Sequence, residues 1–181
     1  MWTRPPGFDT LLHIILEQQV SLASAKAAHD RLLALASPLT PASFAALDDA
    51  ALRGAGFSRQ KAHYGRELAK SLLAGELDLE ALGRLDDEQV RAGLLGLKGI
   101  GPWTAEIYLL MALRRPDTWP SGDRALAVAA QRVKRMPQAP SFAELEALAA
   151  GWRPWRAVAA RVLWHDYLSR PRGGPRAAAP P

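Results

Sequence analysis

Apolar residues recur along this chain at steps of three and four, not two. Phe8, Leu11, Leu12 and Ile15 share one helical face near the N-terminus, and Asp9 can cap that helix. Ser21 precedes a second stripe through Ala25, Ala28 and Leu32, and Thr40 followed by Pro41 is a cap with a first-turn proline. Ser58 opens the segment RQKAHYGRELAKSLLAG, which Gly75 closes, and Asp86 opens DEQVRAGLLGL. Ser141 and Glu144 have capping-box spacing ahead of FAELEALAAG. In WRPWRAVAARVLWHDYL the apolar positions are Val158, Val162 and Leu163, with Trp155 one turn earlier. No stretch alternates as a strand does, and there is no long-period repeat. The pattern predicts an all-α fold, a compact domain of nine or ten short helices over residues 1 to about 170. Residues 171–181, PRGGPRAAAPP, are too rich in proline, glycine and arginine to pack, and a disordered tail is expected there.

Composition narrows the function without naming it. A chain of 181 residues suits one domain with a sizeable core. No run of about eighteen apolar residues exists, so no membrane span is expected. The N-terminal MWTRPPGFDT lacks the apolar core of a signal peptide, which makes cytoplasmic residence the expectation. The absence of cysteine excludes disulfides, thiolate catalysis and cysteine-ligated zinc or iron–sulfur centres. The four histidines, His13, His29, His63 and His165, are far apart and form no helical ligand pair, so a metal enzyme is not expected. A net charge of +5 and a pI near 10.0 suit a polyanionic partner, although many basic proteins bind no nucleic acid.

Candidate chemistry gathers in LLGLKGIGPWTA. One helix ends near Leu95 and another begins at Pro102, where a missing amide proton costs nothing. Between them Gly99 and Gly101 permit positive φ and close approach to bare backbone. Successive amides beside a helix N-terminus form an anion nest, with Ile100 pointing inward and Lys98 adding charge at the edge. A plain helix–helix turn uses glycine in the same way, so the turn alone leaves both readings open. The leucine two positions before the first glycine and the proline after the second favour a phosphodiester backbone as ligand. About twenty residues on, Asp123 stands where the helix RALAVAAQRVKR begins, an N-cap position at which amides and helix dipole favour negative charge.

These residues carry a resemblance. LLGLKGIGPWTAEIYLLMAL resembles the helix–hairpin–helix motif of the base-excision DNA glycosylase superfamily (HhH-GPD), and WPSGDRAL is similar to the setting of its catalytic aspartate. ILEQQVSLASAKAA resembles the family's early helix pair, LRGAGFSRQKAHYGRELA its second, looser hairpin, and WRPWRAVAARVLW its C-terminal tryptophan-rich helix. The matches run in order over residues 8 to about 168, with the 3-methyladenine DNA glycosylase II branch the most similar.

The resemblance implies a monofunctional hydrolase that removes alkylated purines such as 3-methyladenine or 7-methylguanine and leaves an abasic site. Asp123 would be the catalytic residue, stabilising an oxocarbenium-like sugar and orienting water. Strand-cutting members carry a nucleophilic lysine where this chain has Trp103, so no lyase activity is expected. Trp103, Trp164 and Gln18 would line the base pocket, and Ile107 stands where a tyrosine is frequent. Aromatic faces favour a cationic base by roughly 0.5–2 kcal/mol per contact. Gln19 falls at the wedge position, where leucine is common. Lys98, Gly99, Ile100, Gly101, Thr104, Arg59, Lys61 and Arg124 would meet DNA, while Trp152 and Trp155 are assigned to packing. No cofactor is required. A structural monovalent cation, sodium or potassium, would sit on the backbone carbonyls of Leu95, Leu97 and Ile100 when DNA is bound. The match begins within ten residues of Met1, so the N-terminal β-rich domain of larger members is expected to be absent. The implied partner is double-stranded DNA with damaged bases, bound by a monomer in the nucleoid of a bacterial cytoplasm, with an abasic-site endonuclease downstream. Alternatives are a glycosylase for deaminated or oxidised bases, a non-catalytic lesion-binding module, and a protein-binding helical scaffold.

Overall fold

The expected caps form, and they set where most helices start. In the computed structural model, which describes residues 3–169, eleven helices follow one another and no strand occurs among the described residues. They are α1 (Phe8–Glu17), α2 (Leu22–Leu35), α3 (Pro41–Ala45), α4 (Asp49–Ala55), α5 (Arg59–Leu73) and α6 (Leu79–Gly83). The second half holds α7 (Asp87–Leu95), α8 (Pro102–Met111), α9 (Arg124–Val133), α10 (Phe142–Ala150) and α11 (Arg156–Ser169). The tail expected at residues 171–181 lies outside the described residues.

The side chains of Ser21, Thr40, Ser58, Asp86 and Ser141 each accept an amide of the first turn, as their positions predict. Asp48 and Asp78 do the same for α4 and α6, short helices that bring the count above the nine or ten expected. The first helix departs from expectation. Its N-cap is Gly7, and Asp9, inside the first turn, instead hydrogen-bonds His29 on α2.

The core forms around α1 and α8. Leu11, Leu12, Ile14 and Ile15 of α1 are fully buried, as are Tyr108, Leu109 and Leu110 of α8. The Tyr108 hydroxyl accepts the Gly7 amide at 3.0 Å, so even its polar atom is satisfied. Helix α11 turns a different face inward from the one its apolar pattern predicts. Ala157, Ala160, Leu163 and Trp164 are buried, while Val158 and Val162 are about half exposed and Trp155 is 61% exposed. It packs mainly on α9, whose own buried face contains Ala127, Ala129 and Ala130. Alanines line part of both faces, Leu163 and Trp164 fill the rest of the α11 face, and the two valines fall outside. Trp152 is packed as expected, edge-on to the Trp119 ring at 5.5 Å between centroids; Trp155 is not.

Ion pairs fix the segment leading to Asp123. Arg156 Nε and Nη2 donate to the Asp117 carboxylate at 2.8 and 3.0 Å, and Nη2 also reaches the Asp117 carbonyl at 2.7 Å. These bonds hold the Asp117 carboxyl below the usual carboxylate range. Glu106 of α8 accepts the Trp119 amide at 3.0 Å and pairs with Arg91 of α7. The chain from 116 to 119 is thereby tied to α7, α8 and α11.

A half-buried histidine gives the fold a measurable acid sensitivity. His13 stacks on His29 with ring centroids 4.1 Å apart. Burial first, then Arg4 and His29, lower its pKa from 6.5 to about 4, against the opposing pull of Asp9 and Asp30. The unfolded chain therefore takes up this proton first, and the neutral ring's contribution is present above pH 6.5 and lost as pH falls towards 4. Allowing for partial solvent screening, about 2 kcal/mol is at stake. Urea unfolding should show that loss between pH 7 and 4, and His13→Phe should remove most of the pH dependence in the upper part of this window.

Candidate active site and nucleic-acid interface

The turn between α7 and α8 is built almost entirely from backbone. Ile100 is 5% exposed and plugs the turn into the core, with its amide donating to Leu97 O at 3.1 Å. Gly99 has φ 88°, in the left-handed region, and a Cβ there would lie 2.2 Å from the Tyr64 ring of α5. A side chain is excluded twice, by conformation and by space. Gly101 differs from expectation. Its φ of −97° and ψ of 177° are extended, and a Cβ would meet nothing within 4 Å. Its value is the open ground it leaves beside the N-terminus of α8. The amides of Gly99, Gly101, Trp103 and Thr104 have no hydrogen-bond acceptor among the described residues. Free donors at a helix N-terminus suit an anion. Lys98 is exposed at the edge.

Gln18, just past the end of α1, ties that helix to the turn. Its Nε2 donates to the Gly99 carbonyl and to Thr104 Oγ1, both at 2.9 Å. The Thr104 hydroxyl is therefore engaged by Gln18 in a residue 2% exposed, which leaves its amide as the group that can meet an anion. Gln19 is exposed and has φ 58°.

Asp123 caps α9. Its Oδ1 accepts the Leu126 amide at 3.1 Å, and its Oδ2 accepts the Trp103 indole N–H at 3.1 Å. Both residues are half-buried. The first turn of α8 and the start of α9 thus meet at one carboxylate, with each oxygen held by a different donor. This indole bond has no signature in the sequence, because it spans 20 residues and two helices.

Three expected site residues are placed otherwise. Ile107 is 1% exposed on the core side of α8, and Trp164 is 8% exposed within the core, so neither presents an open face to a base. Lys61 is engaged within the protein: its Nζ donates to the carbonyls of Leu16 and Gln18 at 2.7 and 2.8 Å. Arg59 and Arg124 are exposed, as phosphate contacts require. Tyr64, under Gly99, is a site-forming residue that the sequence does not flag, since any half-buried aromatic on α5 reads as core. Of the carbonyls named for a cation, Leu97 accepts the Ile100 amide, while those of Leu95 and Ile100 accept no main-chain bond among the described residues. Two free carbonyls in one turn fit a monovalent ion.

Asp123 lines neither of two sizeable surface depressions, one of about 650 Å³ beside α4 and α5 and one of about 360 Å³ between α7, α8 and α11. The second is filled by paired charges such as Arg91–Glu106 and Arg156–Asp117. Asp123 itself is partly exposed. The described helices thus set a cradle of bare amides beside a clamped aspartate.

The family model of the HhH-GPD superfamily base excision DNA repair proteins matches residues 12–154, and the chain belongs to that superfamily. The Schizosaccharomyces pombe 3-methyladenine DNA glycosylase Mag1, solved in complex with abasic DNA, superposes with a TM-score of 0.82 at 25% identity, covering 92% of this chain and 81% of that one. The DNA-3-methyladenine glycosidase of Bacillus halodurans gives 0.77 at 31% identity, covering 93% and 79%. YfjP of Bacillus subtilis is 32% identical over 126 residues, which are 70% of this chain and 44% of that protein. This chain thus spans less than half the length of that relative.

Proposed function

We propose that this protein is a monofunctional DNA glycosylase that hydrolyses alkylated, cationic purines from double-stranded DNA and leaves an abasic site. The observation that carries the reading is the Asp123 carboxylate, fixed by the Leu126 amide and the Trp103 indole beside the hairpin helix. The likeness to glycosylases named for 3-methyladenine, one of them bound to abasic DNA, supports the substrate class.

In this reading the free amides around Gly99 and Gly101 hold a phosphate, and Lys98, Arg59 and Arg124 neutralise its neighbours. A cation on the Leu95 and Ile100 carbonyls would supply positive charge to the same phosphate. Gln19 enters the space left by the displaced nucleotide, and the face of Trp103 receives the base. The bond from the sugar carbon to the base nitrogen breaks, its electron pair returning to the base, which leaves neutral. Asp123 stabilises the positive sugar, and water adds to it, its proton passing to solvent. With Trp103 in place of a lysine, no amine is present there to form a Schiff base. No described helix is long and apolar enough to cross a membrane.

The test is incubation with a duplex holding one 7-methylguanine. A strand break that appears only after alkali is expected. A break without alkali overturns the monofunctional reading, and release from a uracil or 8-oxoguanine duplex alone overturns the alkylpurine reading.

A further inference from the structure

We propose that Lys61 is a positioning residue that presets the turn carrying Gln18 and Gln19, so that the wedge and the hairpin meet DNA as one rigid unit. The inference rests on the glycosylase reading, since it concerns how the base is displaced.

The last carbonyls of a helix have no partner within it, and those of α1 end at the candidate site. Lys61, on the first turn of α5, crosses 45 positions of sequence to donate to Leu16 O at 2.7 Å and 43 to donate to Gln18 O at 2.8 Å. A cation at a helix C-terminus is favoured by the dipole as well as by the bonds. The two bonds hold the ammonium against the end of α1, and partial burial there lowers the lysine's pKa. From the other side, the Gln18 side chain is bonded to Gly99 O and Thr104 Oγ1. Gln18 is therefore held at both its main chain and its side chain, by α5 and by the hairpin. The next residue, Gln19, has φ 58°, a conformation that residues with a Cβ adopt at a cost of about 1–2 kcal/mol. A strained, exposed residue persists when the residues around it are fixed, and Gln18 is that fixed neighbour. Tyr64, one turn beyond Lys61 on α5, lies against Gly99. One helix thus braces both the wedge turn and the phosphate cradle. Binding a phosphate and inserting a wedge then need no separate ordering step, so ordering entropy is not lost when the base is turned out.

The test separates displacement from duplex affinity. With an alkylated purine beside 2-aminopurine in a duplex, Lys61→Met should lower the fluorescence rise on binding and slow single-turnover release at saturating enzyme about tenfold or more. Affinity for undamaged duplex, and its dependence on salt, should stay within about threefold of wild type. Lys61→Arg, which can still reach both carbonyls, should restore most of the rate. Should Lys61→Met fail to fold, Lys61→Gln carries the same comparison. A loss of undamaged-duplex affinity, with a salt slope smaller by about one, would make Lys61 a phosphate contact and overturn the proposal. Unchanged fluorescence and rate would overturn it as well. If wild-type protein releases no alkylated purine at all, the glycosylase reading fails, whatever the lysine does.

Discussion

Asp123→Asn should slow release of a methylated purine by about 100- to 1,000-fold, equivalent to about 2.7–4 kcal/mol of lost charge stabilisation. Affinity for the same duplex should hardly change. The amide is nearly isosteric, and its oxygen can still accept the Leu126 amide or the Trp103 indole. What it lacks is negative charge beside a sugar carbon turning positive. The prediction is checked by single-turnover release alongside a binding titration. A variant that releases base at the wild-type rate moves the catalytic charge elsewhere. One that merely binds less well makes Asp123 a structural cap.

Gly99→Val should do its damage to the fold and the interface together. Positive φ costs a valine about 1–2 kcal/mol. Its Cβ would also sit 2.2 Å from Tyr64, so either the ring or the hairpin must move, at about 1–3 kcal/mol. The melting temperature should fall by roughly 5–15 °C, and affinity for any duplex, damaged or not, should drop about tenfold or more. Gly101→Val is the matched comparison. Its backbone is extended and its surroundings are open, so stability should hold within about 0.5 kcal/mol while the new side chain intrudes on the amides. Thermal melts and salt titrations on both variants check this. Undiminished duplex binding by Gly101→Val would mean that no phosphate approaches there.

Much of this was readable from the chain, and what was not has physical causes. Caps are local: Ser21, Ser58 and Ser141 act within three residues, so spacing alone locates them. The inward plug at Ile100 follows from the same local geometry. Which face of α11 is buried depends on the partner helix, and against α9 it is Ala157, Ala160, Leu163 and Trp164 and not Val158 and Val162. Helices of five to seven residues, such as α3, α4 and α6, offer little periodicity to read. Within the site, resemblance places a residue along the chain and says nothing of its depth. Thr104 and Ile107 occupy the expected positions and are buried. A lysine on an exposed-looking helix gives no sign that its amine crosses to the end of another, as that of Lys61 does. Gly101 was expected to share the backbone freedom of Gly99. Only Gly99 uses it.

The indole–carboxylate bond has an evolutionary consequence under the roles proposed above. The ring that senses the damaged base and the charge that breaks its bond are one mechanical part. A lineage that retuned its diet of lesions by exchanging Trp103 would unfasten Asp123 in the same stroke, and would need a second change to refasten it. New specificity should therefore arise more easily around the rim of the open ground than at this ring.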